Sequence, residues 1–311
     1  MKKLLKVGTT EWFHTNELSK NEISELAEQY NLHHIIVEDM EEASTQDKID
    51  VYDSCLFVVL HFRKFERENS MHITNEFNCI LWKNYIATIT KMKTSIIERI
   101  KEEYTEELQE DKEEWNDIKY KVSPYYILYR IIDGMYDKTL SGLRFFTNDL
   151  RSIEQNIFRQ NINTTASLEA LLKKRRSIVA VKHCIQPQSE IITELQKETE
   201  KLYGWDLDVY FEDLLYKIDK ILALVHSLQE ELDSLYDTAN TLTNIKINKT
   251  MKIFTIFTAI IWVLTFVSGM YGMNVKLPWQ DVEHMFYLII VMMAIVIWSL
   301  LFYFHKKSWL A

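Results

Sequence analysis

Two stretches decide the fold: residues 253–271, IFTIFTAIIWVLTFVSGMY, and residues 286–304, FYLIIVMMAIVIWSLLFYF. Each runs for about 19 residues without a formal charge, and at roughly 1.5 Å per helical residue each approaches the ~30 Å hydrocarbon core of a bilayer. Lipid cannot satisfy a backbone N–H or C=O, so a lone apolar segment of this length must cross as a helix. A first span over about 251–271 and a second over about 285–304 are therefore predicted, joined by an outer loop over 272–284. Orientation follows from the flanks. Lys246, Lys249 and Lys252 precede the first span and Lys306 and Lys307 follow the second, whereas the loop sets Lys276 against Asp281 and Glu283. Positive charge stays on the cytoplasmic side, so both termini are expected inside a multi-pass plasma-membrane protein. Trp279, Trp298, Tyr303 and Trp309 lie near span ends, where amphipathic rings sit at headgroup level.

The rest of the chain is not membrane-like. It carries 26% charged residues, a net charge of -9 and only 6 Gly and 3 Pro among 311 residues, which excludes a turn-rich all-β fold. The negative balance argues against a nucleic-acid partner, which would require clustered Lys and Arg. Cys55, Cys79 and Cys184 are scattered without C-x-x-C pairs, so they predict thiols in a reducing compartment rather than a zinc site. His183 beside Cys184 reads as packing. Met1 to Val7 turns polar without an apolar leader core, so the region before the spans is expected to be cytoplasmic.

Residues 1–205 predict an α+β domain: a small α/β layer followed by long helices. Ser19 to Glu22 is a capping box opening a helix through Ile23 to Tyr30. His34–Val37, Cys55–Phe62 and Phe77–Thr88 predict strands, the last folded into a hairpin about Trp82-Lys83-Asn84-Tyr85. Helices are expected through Glu102–Trp115, Tyr125–Asp133, Leu143–Phe158, Leu168–Cys184 and Ser189–Leu202, with Pro124 in a first turn and Pro187 as a break. The acidic run Glu106 to Glu114 reads as a solvated face or as a surface that concentrates cations. The basic cluster Lys173 to Arg176 reads as a helix surface. Residues 206–250 contain neither Gly nor Pro and predict a stalk helix running into the first span, and residues 305–311 a basic cytoplasmic tail.

That long helix has an unusual seam. Alternating steps of three and four residues select Asp213, Tyr216, Lys220, Ala223, Ser227, Glu230, Ser234, Asp237, Thr241, Asn244, Asn248, Met251, Thr255, Thr258, Trp262, Thr265 and Gly269, reaching Gly272. Heptad spacing keeps them on one face, which in a coiled coil would be Leu and Ile. Here it stays small or polar within the apolar span at Thr255, Thr258 and Thr265. Aligned threonines read as a water-facing lining or as tight helix packing. Two spans cannot enclose a conduit, so a lining demands a closed ring of several subunits. Met251 and Trp262 would then be constrictions that gate by dewetting.

The seam ends at Tyr271-Gly272-Met273-Asn274, and there the chain resembles the CorA-type magnesium transporters, whose first of two C-terminal spans closes on Tyr-Gly-Met-Asn. The resemblance extends through Asn31-Leu32-His33 to Glu38-Asp39, Asp50 to Asp53, Phe57 to His61, Trp82 to Asn84, Leu128 to Asp133 and Asn248 to Lys252. It implies a homopentameric funnel, with a pore lined by the first span and a selectivity filter at Tyr271, Gly272, Met273 and Asn274. Neutral Asn oxygens suit Mg²⁺, which keeps its waters, because they bind the hydrated ion weakly enough to release it. Gly272 would let backbone carbonyls approach the axis.

The resemblance further implies closure by cytoplasmic Mg²⁺. Asp213, in Tyr210-Phe211-Glu212-Asp213, would be a regulatory ligand rather than a plain surface carboxylate, and Asp237 an acidic ring at the inner mouth. Mg²⁺ is thus expected as substrate and regulator, with no other cofactor, and the partners as further copies of the chain, divalent cations and lipid. Two departures stand out. Trp262-Val263 replaces a mid-span proline common in the family, and Val275-Lys276-Leu277-Pro278-Trp279 replaces a loop with an early acid, so Lys276 would oppose cation access. A Co²⁺, Ni²⁺ or Zn²⁺ transporter on the same fold and a membrane-anchored scaffold or sensor are the rival functions. Nucleophile–base pairs, phosphate loops and metal-hydrolase motifs are missing from the sequence, which speaks against an enzyme.

Overall fold

A computed structural model describes residues 3–16, 18–42, 44, 46–64, 73–91, 94–110, 121–158, 164–204, 206–274 and 284–307. Their elements run β1 (Lys3–Val7), β2 (Thr10–Thr15), α1 (Lys20–Tyr30), α2 (His34–Glu41), β3 (Lys48–Val51), β4 (Leu56–Lys64), β5 (Ile73–Leu81), β6 (Tyr85–Thr90), α3 (Ser95–Glu110), α4 (Pro124–Phe158), α5 (Thr164–Ile185), α6 (Gln188–Tyr203), α7 (Asp208–Tyr271) and α8 (Met285–Lys306). Two compact units result, Met1–Tyr236 and Asp237–Ala311, and α7 contributes to both.

In the first unit a six-stranded sheet has the order β1-β2-β6-β5-β4-β3, antiparallel except where β2 lies parallel to β6. Apolar alternation assigns its faces. Phe13, Phe57, Val59, Ile80 and Ala87 pack with Leu26 of α1 and Ile36 of α2. The opposite face brings Trp12 against Tyr104 of α3 and Phe62 against Tyr136 of α4, with ring centroids 6.4 and 5.6 Å apart. The sheet is thereby covered on both sides. Edge strand β3 carries Lys48 and Asp50, charges that suit an unpaired margin.

The Ser19 capping box forms as expected, its hydroxyl accepting from the Glu22 N–H while the Glu22 carboxylate accepts from Ser19 N. The hairpin about Trp82 forms too, with Trp82 N donating to Tyr85 O at 2.9 Å. His34–Val37, expected as a strand, is instead the start of α2. His33 caps it by accepting from Ile35 N, and Ile36 alone of its residues is buried. The helices expected at Tyr125–Asp133 and Leu143–Phe158 are one element, α4. Gly134 does not interrupt it, and a Cβ there would lie 2.7 Å from Ile96 Cγ2, so the glycine is where α3 comes close. The acidic run is described only to Glu110, and residues 111–114 lie outside the described residues.

Helix α7 has 64 residues, about 96 Å at roughly 1.5 Å per residue. Its first half buries Leu214, Ile218, Ile221, Val225, Leu228, Leu232, Leu235 and Ala239, a 4-3 stripe one or two positions away from the polar seam. That apolar neighbour explains how a helix with a polar seam still docks. Arg175 of α5 pairs with Asp233 at 3.3 Å along it.

Candidate functional site

Every seam residue from Asp237 to Gly269 named above is exposed: Asp237, Thr241, Asn244, Asn248, Met251, Thr255, Thr258, Trp262, Thr265 and Gly269. Most of α7 in the second unit is exposed, and within its apolar stretch Thr255, Thr258 and Thr265 continue the polar stripe that begins at Asp237. Thr241 Oγ1 donates to Asp237 O at 2.9 Å and Thr255 Oγ1 to Met251 O at 2.8 Å. Met251, Thr255, Thr258 and Trp262 line a single groove with Phe254, Ala259, Val263 and Leu300 of α8. The Trp262 ring is 68% exposed and stacks on Phe266 four residues on, centroids 6.0 Å apart and planes at 18°. No proline bends the helix at Trp262-Val263, and α7 runs on to Tyr271.

At that end Gly272 N donates to Ser268 O at 2.9 Å and Met273 N to Met270 O at 3.4 Å, so the chain tightens into a turn as the helix stops. A Cβ on Gly272 would stand 3.1 Å from Ser268 O. A side chain there would crowd that carbonyl, so glycine suits the turn itself, a local reason the sequence did not reveal. Met273 and Asn274 follow, exposed. Lys276, Trp279, Asp281, Glu283 and Trp309 lie outside the described residues.

Asp213 belongs to the first unit, half-buried on α7. Tyr129 of α4 donates its hydroxyl to Asp213 Oδ2 at 3.0 Å. One turn further along each helix, Lys217 Nζ touches Asp133 Oδ1 and lies 2.8 Å from Asp137 Oδ1. Burial pushes the Asp133 carboxyl up, opposed by Lys217 and reinforced by Asp137 and Asp213. Burial pulls Lys217 down, but its bonds to Asp133 and Asp137 outweigh that and leave it above the usual lysine value. Sequence reasoning missed Tyr129, Asp133, Asp137 and Lys217 as neighbours of Asp213. Spacing puts 129, 133 and 137 on one face of α4, and 213 and 217 on one face of α7, but nothing in it pairs the two faces.

A second acidic group, Glu200, Asp206 and Asp208, has carboxylate oxygens within 4.8 Å of one another where α6 turns into α7. Gln196 Nε2 donates to Asp208 at 2.5 Å and to Glu200 at 3.2 Å, and Asp208 N donates to Asp206, which suits a capped corner.

The CorA-like Mg²⁺ transporter protein family matches residues 8–306. The cobalt/magnesium transport protein CorA of Thermotoga maritima is 21% identical over 305 residues, covering 97% of this chain and 84% of its own length. The putative metal ion transporter YfjQ of Bacillus subtilis is 22% identical over 281 residues, covering 90% and 83%. Among solved structures, the CorA magnesium transporter from Methanocaldococcus jannaschii shares the fold with a TM-score of 0.82 at 19% identity, over 97% of this chain and 92% of that one. With a match that leaves out only a few residues at either end, this chain belongs to the CorA-like Mg²⁺ transporter family.

Proposed function

We propose that the chain is one subunit of a homopentameric channel that conducts Mg²⁺ into the cell down its electrochemical gradient, with both termini cytoplasmic. The observation that carries this is the uncovered stripe of Asn244, Asn248, Thr255, Thr258 and Thr265, leading toward Asn274 at the helix end. A lipid-facing helix gains nothing from such a stripe, whereas a ring of subunits turns it into the wall of a wet conduit. Asn274 supplies the neutral oxygens of the filter, and Trp262 and Met251 the apolar narrowing. Asp237 lies at the inner end of the stripe, placed to draw cations toward it. Lipid surrounds α8 and the outward face of α7.

Regulation by cytoplasmic Mg²⁺ is assigned to Asp213. A half-buried carboxylate offers the hard oxygen that Mg²⁺ prefers, and its hydrogen bond from Tyr129 leaves lone pairs for the waters of a hydrated ion. A second substrate class, Co²⁺, is favoured by the cobalt/magnesium name of the Thermotoga maritima relative. The test is initial uptake into proteoliposomes of purified protein across Mg²⁺, Co²⁺, Ni²⁺ and Zn²⁺. Saturable Mg²⁺ uptake that grows with an inside-negative potential is expected. Uptake of none of the four by an assembled oligomer would leave a scaffold or sensor as the better reading.

A further inference from the structure

Where α4 passes α7 in the first unit, three carboxylates and one ammonium share a small space. Asp133 and Asp137 come from successive turns of α4, and Asp213 and Lys217 from successive turns of α7. The side chains of Lys217 and Asp133 are 17% and 23% exposed, against 59% for Asp137, so the ammonium is held on the sheltered side and the group opens to solvent beside Asp137. Lys217 spans the two α4 carboxylates at once, while Asp213 takes the Tyr129 hydroxyl instead.

A divalent cation is attracted by clustered carboxylates, and so is a lysine. The lysine differs in being covalently attached: it never leaves the neighbourhood, and its local concentration far exceeds that of any free ion. Its compact charge and three donors let it satisfy two carboxylates together. A metal ion arriving here must strip Lys217 from both partners or do without them.

We propose that Lys217 is a tethered counter-cation that keeps divalent metal off Asp133 and Asp137, so that only Asp213 answers to the internal ion at this place. This rests on the regulatory role given to Asp213 above. The channel then closes at a higher internal Mg²⁺ than three free carboxylates would set. The lysine stabilises the α4–α7 contact whether or not metal is present.

Direct Mn²⁺ binding to the full-length oligomer in detergent, read by electron paramagnetic resonance with Mg²⁺ competition, tests it without transport. Lys217→Met is expected to bind Mn²⁺ at least about tenfold tighter, since a unit charge a few Å from a divalent ion is removed. Adding Asp133→Asn to that variant should abolish the gain, and Lys217→Arg should bind as the parent does. Unchanged or weaker Mn²⁺ binding by folded Lys217→Met would overturn the proposal. Should that variant misfold, Lys217→Gln, which also removes the charge but can still donate to one of the two carboxylates, is read in its place: the same gain is expected, and unchanged or weaker Mn²⁺ binding again overturns the proposal. Asp213→Ala separates the two ideas. If it leaves parental Mn²⁺ binding unaltered, the role of Asp213 fails, while Lys217 is still judged by the gain that Asp133→Asn removes.

Discussion

His61 Nδ1 lies 2.6 Å from Asp47 Oδ1, and the same carboxylate oxygen accepts the His61 backbone N–H at 2.6 Å. The other ring nitrogen faces Ser44 O at 3.0 Å, and Asp47 Oδ2 accepts from Gln188 Nε2 at 3.0 Å. Every neighbour of the ring is an acceptor and every neighbour of the carboxylate a donor, so the geometry calls for an imidazolium beside a carboxylate. Glu76 faces His61 across the β4–β5 ladder and is itself paired with Lys91. Buried Tyr136 and the Cys184 thiol, which donates to His61 O, lie within electrostatic reach of Asp47, and Arg63 within reach of Cys184.

Stability is therefore expected to fall with alkali. Burial favours the neutral ring, but Asp47, then Ser44 O and Glu76, outweigh it and hold the pKa above its ordinary 6.5. A pKa raised on folding contributes fully below pH 6.5 and is lost as pH rises through the folded value. Thermal unfolding of the solubilised protein should thus drop in midpoint above pH 6.5, with the slope flattened in His61→Gln. Asp47→Asn should cost about 1–3 kcal/mol, because the His61 ring then gives up its proton and loses a charge-assisted partner. An identical pH slope in His61→Gln would remove this pair from consideration.

Asn274→Ala should reduce Mg²⁺ uptake at least about tenfold while the oligomer still elutes as the parent does. The amide oxygen is what a hydrated ion would meet at the helix end, and a methyl cannot accept from its waters. Normal uptake in an assembled variant would move the filter elsewhere.

Trp262→Ser is expected to raise basal uptake and to blunt shut-off by internal Mg²⁺. The ring is the largest apolar group on the stripe, and a hydroxymethyl in its place lets water through the constriction. Parental uptake together with lowered thermal stability would instead mean that Trp262 packs against neighbouring helices.

Gly134→Ala should destabilise the first unit by about 1–3 kcal/mol, the usual cost of overpacking, since its methyl would meet Ile96 at 2.7 Å. A compensating Ile96→Val should recover part of the loss in thermal midpoint. No loss in the single variant would show that α3 can shift freely.

The spans were legible because lipid imposes one unbroken rule, apolar residues and no charge over a bilayer's width. Sheet margins were not. Lys48–Val51 is absent from the strands expected from the sequence, and pairing with β4 is what makes it one. His34–Val37 looks like a strand because Ile35, Ile36 and Val37 are β-branched, yet a cap at His33 and burial of Ile36 alone make it helical. The polar seam was visible by its spacing, whereas the buried stripe beside it went unnoticed, although it obeys the same period. Lys217 could not be tied to Asp133, 84 positions earlier (217 − 133), by any local pattern.

Thr241 and Thr255 each give their single hydroxyl proton to a carbonyl of their own helix. What such a hydroxyl still presents outward is lone pairs alone. Water around a cation turns its hydrogens away from the ion, ready to be accepted, whereas water around an anion turns its oxygens outward. Within the proposed conduit, a threonine held in this way favours the first shell and offers the second no proton. Discrimination by sign is then written into the rotamer of an uncharged residue, and at Thr255 the membrane helix achieves it without burying a carboxylate in lipid.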